Sequence, residues 1–161
     1  MPAADAGETP AEVKKVYLLP GRLYVSSEPC AVTTILGSCV AVCLWDCALR
    51  AGGVNHYLLP HWAGPHQSSA RFGNLAVERL IAETLDLGGR RRDLRAKVFG
   101  GARILESPPE GAGHLGARNV EVARQILAHE NIPIVAEDVG GNGGRKLVFH
   151  TEDGNAWVRR F

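Results

Sequence analysis

Two runs of alternating residues, Val40-Ala41-Val42-Cys43-Leu44-Trp45 and Gly52-Gly53-Val54-Asn55-His56-Tyr57-Leu58-Leu59, flank the turn-like stretch Asp46 to Ala51 and constrain this chain more than any other feature. Alternation at period two reads as strand, and two such runs joined by a short turn read as an antiparallel hairpin. Folding it about a midpoint near residues 48 to 49 sets position 39 opposite position 58, with position 56 its diagonal neighbour at about 7 Å. Cys39 and His56 occupy those positions, so a thiol and an imidazole can meet. The spacing alone leaves two accounts open. One is a thiol nucleophile with its base. The other is a small buried hydrophobe near a polar rim histidine, the commoner fate of a strand Cys and a strand-end His.

Upstream, Gly37-Ser38 make a turn immediately before Cys39, and Thr33 to Asp46 as a whole reads as a loop running into a strand. Of the other cysteines, Cys43 shares the strand parity of Cys39 and is expected in the core, while Cys30 and Cys47 read as inert loop thiols. No CxxC pair is present, and the stretch that carries three of the four cysteines reads as strand and turn rather than a zinc ribbon. His56, His61 and His66 recur every five residues, which matches neither one strand face nor an i, i+4 helical pair, so no metal site and no cofactor is expected.

A chain of 161 residues suffices for a single domain. At that size it buries roughly 70% of the surface its unfolded form exposes, and needs neither disulfide nor metal to fold. A formal net charge of +1 argues against a nucleic-acid footprint. The local cluster Arg90-Arg91-Arg92 with Arg95 and Lys97 is either a solvated face or a source of long-range attraction for carboxylates. A working thiol requires a reducing compartment, and neither a secretory signal nor an apolar run long enough to span a bilayer stands out, so a cytoplasmic location without membrane insertion is expected. Residues 1–12, rich in Ala and Pro, are expected to be disordered, with one domain over 13–161.

Short strands are expected at Val16 to Leu19, Arg22 to Ser26, Lys97 to Ile104 and Ile132 to Glu137, with a terminal hairpin, Lys146 to His150 and Ala156 to Arg160, turned at Asp153-Gly154. One helix should run from an Asn74 cap to about Asp86 with Val77, Leu80, Ile81, Thr84 and Leu85 on one face, and a second from Arg118 or Asn119 to His129. Gly100-Gly101 suggests a bulge or a close backbone approach. Many strands and two helices imply an α+β or layered α/β domain. Gly111-Ala112-Gly113-His114-Leu115-Gly116 matches GxGxxG, but Pro108-Pro109-Glu110 separates it from the preceding strand, so it reads as a surface loop rather than a dinucleotide fingerprint.

The segments Thr33 to Asp46 and Gly52 to Pro60, with Ala96-Lys97-Val98-Phe99-Gly100-Gly101-Ala102, Leu115-Gly116-Ala117-Arg118-Asn119 and Asp138-Val139-Gly140-Gly141-Asn142-Gly143-Gly144-Arg145, resemble the CheD family, the chemoreceptor glutamine deamidases of bacterial and archaeal chemotaxis. The likeness runs from about Val16 to Phe161 in the family's order and approximate spacing. It implies a three-layer α/β/β sandwich with mixed sheets. By resemblance Cys39 is the nucleophile, His56 the general acid/base and Thr33 the residue that orients the imidazole, since the family's Thr lies six positions before its Cys. Gly37 and Ser38 would shape the site or supply oxyanion donors, and the Gly140 to Arg145 turn would border the groove. The implied reaction is hydrolysis of receptor glutamine side-chain amides to glutamate through a thioester, with an imidazolium that stabilises the thiolate and protonates departing ammonia. Methyl-accepting chemoreceptor helices are the expected substrate, a CheC-type phosphatase a further partner, and the chain a monomer. A thiol protease or transglutaminase would share the acyl-enzyme, and a non-catalytic adaptor would need neither Cys39 nor His56.

Overall fold

The computed structural model describes residues 13–65, 69–104 and 113–161. The disorder expected over residues 1–12, His66, Pro108-Pro109-Glu110 and the first two positions of the GxGxxG stretch lie outside the described residues. Among the described residues nine strands form two mixed sheets. Strands β1 (Lys14–Tyr17), β3 (Cys30–Leu36), β8 (Arg145–His150) and β9 (Ala156–Arg160) make one, in that spatial order. The other runs β2 (Leu23–Ser26), β5 (Ala51–Asn55), β4 (Val40–Asp46), β6 (Leu94–Gly100), β7 (Ile134–Val139). Each sheet holds one parallel pairing, β1 with β3 and β6 with β7, among antiparallel ones.

Two apolar layers follow from strand parity. Val40, Val42 and Leu44 point to helices α1 (Gly73–Leu85) and α2 (Leu115–His129), packing with Val77, Leu80, Ile81, Ala123 and Leu127. Ala41 and Cys43, on the opposite face of β4, pack against Val32, Leu36, Leu147 and Phe149 of the four-stranded sheet. The result is helices, five-stranded sheet, four-stranded sheet: the α/β/β layering the sequence resemblance implies. Each fully buried aliphatic side chain here contributes about 1.5–3 kcal/mol, and Leu80→Ala, emptying the helix–sheet layer, would cost about 2–5 kcal/mol. No described helix is long and apolar enough to cross a membrane.

Four local expectations are corrected. Cys30 through Leu36 is a strand rather than a loop, because its backbone partners, β1 and β8, come from both ends of the sequence. Cys30 is therefore a buried strand residue. Asn74 does not cap α1. It lies inside the helix and clips the Trp62 backbone instead, accepting from its N–H at 2.9 Å and donating to its carbonyl at 3.0 Å. Helix α2 starts at Leu115 rather than at Arg118 or Asn119, capped by the His114 imidazole, which accepts from Ala117 N–H at 3.2 Å.

Candidate active site

The hairpin has the expected register. Cys43 pairs with Val54 and Asp46 with Ala51, and the bridge Val40–Tyr57 continues the same alignment, closed by backbone hydrogen bonds of 3.1 and 3.0 Å. Cys39 is thus opposite Leu58 and diagonal to His56, on the face of the sheet that looks toward β3. Between the two paired stretches the ladder is interrupted, with Asn55 Oδ1 accepting the Val42 N–H at 2.8 Å. His56 is nevertheless held on its other side, its N–H bonded to the Arg22 carbonyl at 3.0 Å and its carbonyl to Gly21 N–H at 2.8 Å.

The hydroxyl on His56 belongs to Thr34, not Thr33. Thr34 Oγ1 is 2.7 Å from His56 Nδ1 and 2.8 Å from the Leu18 carbonyl oxygen. In β3 the even-numbered side chains, Cys30, Val32, Thr34 and Leu36, enter the layer between the sheets, and Thr33 lies on the outer face. Because a carbonyl only accepts, the Thr34 hydroxyl donates to Leu18 and accepts from Nδ1–H. The neutral imidazole therefore keeps its proton on Nδ1 and its lone pair on Nε2. That nitrogen is buried and makes no hydrogen bond among the described residues.

Burial sets the electrostatics. It lowers the His56 pKa to about 4 and pushes the Cys39 thiol up, the Cys39 backbone N–H opposing it more weakly. Burial thus favours the neutral forms of both groups, a thiol and an imidazole, over the imidazolium–thiolate pair. Cys43, wholly buried, has its thiol pushed far higher.

Cys39 is half-buried on the wall between two clefts. One, of about 340 Å³, is bounded by Gly37, Ala102, Arg103, Ile104 and His114; the other, of about 500 Å³, by Leu58, Leu59, Trp62, Arg71 and Phe72. Ser38, Cys39 and Leu115 line both. The expected close approach at Gly100-Gly101 is present. Gly101 N–H donates to the Cys39 carbonyl at 2.9 Å, Ala102 N–H to the Gly37 carbonyl at 3.0 Å, and a Cβ on Gly100 would strike the Cys39 carbonyl oxygen. The Ser38 and Cys39 N–H groups make no hydrogen bond to a backbone carbonyl among the described residues.

Two supporting residues escaped the sequence reading. Asn119 on α2, fully buried, donates through Nδ2 to the Ser38 carbonyl at 3.0 Å and the Leu58 carbonyl at 2.9 Å, bridging the turn before Cys39 to the strand opposite it. Its own backbone carbonyl accepts from Tyr57 Oη at 2.5 Å. Arg145, 1% exposed, donates to Asp138 at 3.0 Å and to the Gly100 and Gly140 carbonyls at 3.3 and 2.7 Å, joining the glycine turn at 140–144 to the loop beneath Cys39. Gly141 in turn accepts from the Arg103 N–H at 2.8 Å, so this turn buttresses the smaller cleft. Only the recurrence of Asn119 and Arg145 in segments that resemble a family pointed to them.

Fold and site together define an α/β/β-layered domain with a cysteine and a threonine-anchored histidine beside an open double cleft. Comparison with known proteins assigns its lineage. Residues 58–160 match the family model described as CheD chemotactic sensory transduction. A protein of Anaeromyxobacter dehalogenans named probable chemoreceptor glutamine deamidase CheD 1 is 49% identical over 98% of this chain and 92% of its own. Proteins named probable chemoreceptor glutamine deamidase CheD from Trichlorobacter lovleyi (45% identical, 88% of each chain) and Sulfurimonas denitrificans (38% identical, 92% of this chain and 95% of the relative) align comparably. The chain belongs to the CheD family.

Proposed function

We propose that this protein hydrolyses glutamine side-chain amides of chemoreceptors to glutamate and ammonia, with Cys39 as nucleophile and His56 as proton carrier. The observation that carries the reading is the His56 tautomer: Thr34 occupies Nδ1–H and leaves the Nε2 lone pair free on the face of the sheet that Cys39 shares. The names of the relatives supply the substrate class.

In the proposed sequence Nε2 removes the Cys39 proton as Sγ bonds to the amide carbon, so the thiolate forms only as it attacks. Ser38 and Cys39 N–H groups receive the oxyanion. Nε2–H then protonates the leaving nitrogen, the C–N bond breaks, and ammonia departs from a thioester. Water attacks that carbon while Nε2 takes its proton. The C–S bond breaks, the proton returns to Sγ, and glutamate is released. Amide and water become acid and ammonia without any redox change. Because the resting thiol is neutral, acceleration rests on proton transfer, worth about 10² to 10⁴, and on oxyanion stabilisation of about 10² to 10³ for each donor.

The test is incubation with the cytoplasmic fragment of a chemoreceptor from the same organism. Ammonia release should match a mass gain of about 1 Da per converted glutamine, as amide-to-acid exchange requires. A receptor left unaltered by the wild-type protein would sink the reading.

A further inference from the structure

Among the described residues no helix covers the outer face of the four-stranded sheet, since α1 and α2 both pack on the other sheet. Strand register aligns Tyr17, Thr33, Val148 and Trp157 in one row across it and Ile35, Lys146 and Arg159 in the next. Tyr17, Ile35 and Trp157 are 56%, 46% and 65% exposed, so an aromatic and aliphatic strip stands in water. Its charge is one-sided. Lys15, Lys146 and Arg159 project from this face and none is ion-paired with a described residue, although the whole chain balances 18 basic against 17 acidic residues. Glu152, at the border, is engaged with His150 at 3.4 Å.

We propose that this face is a second contact surface for the substrate protein, taking a patch that pairs apolar side chains with carboxylates beside the target glutamine. A second copy of this chain fits poorly, because self-apposition would bring the same three cations of each copy together. Position favours the substrate. Ile35 is four residues before Cys39, so at 3.8 Å per residue their Cα atoms are within about 15 Å of each other. By contrast the Arg90 to Arg95 cluster leads into β6 at Leu94, opposite Asp46, at the end of β4 remote from Cys39. There Arg91 is paired with Glu130, and Arg95 donates to the Arg92 and Leu94 carbonyls at 2.9 Å. The inference rests on the proposed function for the identity of the partner.

The experiment measures binding of the chemoreceptor cytoplasmic fragment to Cys39→Ala protein, with and without Lys146→Glu, Arg159→Glu and Trp157→Ser, alongside turnover in the Cys39 background. The triple substitution should weaken binding and lower kcat/KM on the fragment at least about tenfold at low salt, an effect that shrinks as salt rises. Turnover of a short peptide bearing the same glutamine should be unchanged. Undiminished binding of the fragment to the substituted protein, or equal losses on fragment and short peptide, would overturn the surface. Binding that depends on the face without any turnover by wild type would overturn the deamidase reading and leave the surface standing.

Discussion

Thr34 Oγ1 lies 2.7 Å from His56 Nδ1, and its own proton is committed to the Leu18 carbonyl, so one hydroxyl fixes which imidazole nitrogen is free to act. A neutral hydrogen bond of this kind contributes about 0.5–1.5 kcal/mol net.

Thr34→Ala should therefore lower kcat up to about tenfold, with Thr34→Ser restoring most of it and Thr33→Ala close to wild type. Nitrogen chemical shifts of His56 would show the tautomer released in Thr34→Ala alone. The opposite ranking, with Thr33→Ala the damaging change, would return the orienting role to Thr33.

Burial of His56 makes folding pH-dependent. Between its folded pKa of about 4 and the ordinary imidazole value of 6.5 the unfolded chain binds a proton the folded chain refuses, so stability rises with pH through that window and falls on acidification. Denaturant midpoints measured from pH 4 to 7 should be flatter for His56→Asn than for wild type. Parallel curves would mean His56 is protonated in the fold.

The thiols should react in the order their burial dictates. At neutral pH Cys39 alkylation by iodoacetamide should be slow, accelerating above pH 9 because burial raises its pKa from 9.0, and His56→Asn should leave that profile in place. Exposed Cys47 should label readily, and buried Cys30 and Cys43 only on unfolding. Rapid Cys39 labelling at pH 7 that His56→Asn abolishes would establish an imidazolium–thiolate pair instead.

Asn119 should matter to both stability and rate. Asn119→Ala strands the Ser38 and Leu58 carbonyls, at about 1–3 kcal/mol for a buried group left unpaired, or roughly 2–4 °C of Tm per kcal/mol. Turnover should fall as well, because the turn bearing Cys39 loses its tie to α2. Tyr57→Phe, which removes one hydroxyl from the same network, should cost less on both counts. Thermal melts and kcat of the two variants check the ranking.

The hairpin was legible because it is local: alternation on both sides of one turn fixed its register, and with it the diagonal of Cys39 and His56. The α1 face, Val77, Leu80, Ile81 and Thr84, was legible for the same reason. What the sequence hid depends on distant partners. Strand β3 is paired by β1 and β8, and only that register turns Thr34 inward and Thr33 outward. Glycines at 113 and 116 read as a loop, yet Gly116 lies inside α2, where a Cβ would strike the Gly101 and Ala102 carbonyls. Asn119 and Arg145 bond backbone carbonyls far away in sequence, and such contacts leave no periodic trace.

If deamidation runs through a thioester on Cys39, acid-quenched intact-protein mass spectrometry during turnover of a glutamine-bearing receptor peptide will trap it. Wild type should carry an adduct of the peptide's mass less about 17 Da, the ammonia lost on forming the thioester. The adduct should map to Cys39, be absent in folded Cys39→Ala, and persist in folded Cys43→Ala. Deamidation by Cys39→Ala at the wild-type rate would exclude Cys39 as the nucleophile.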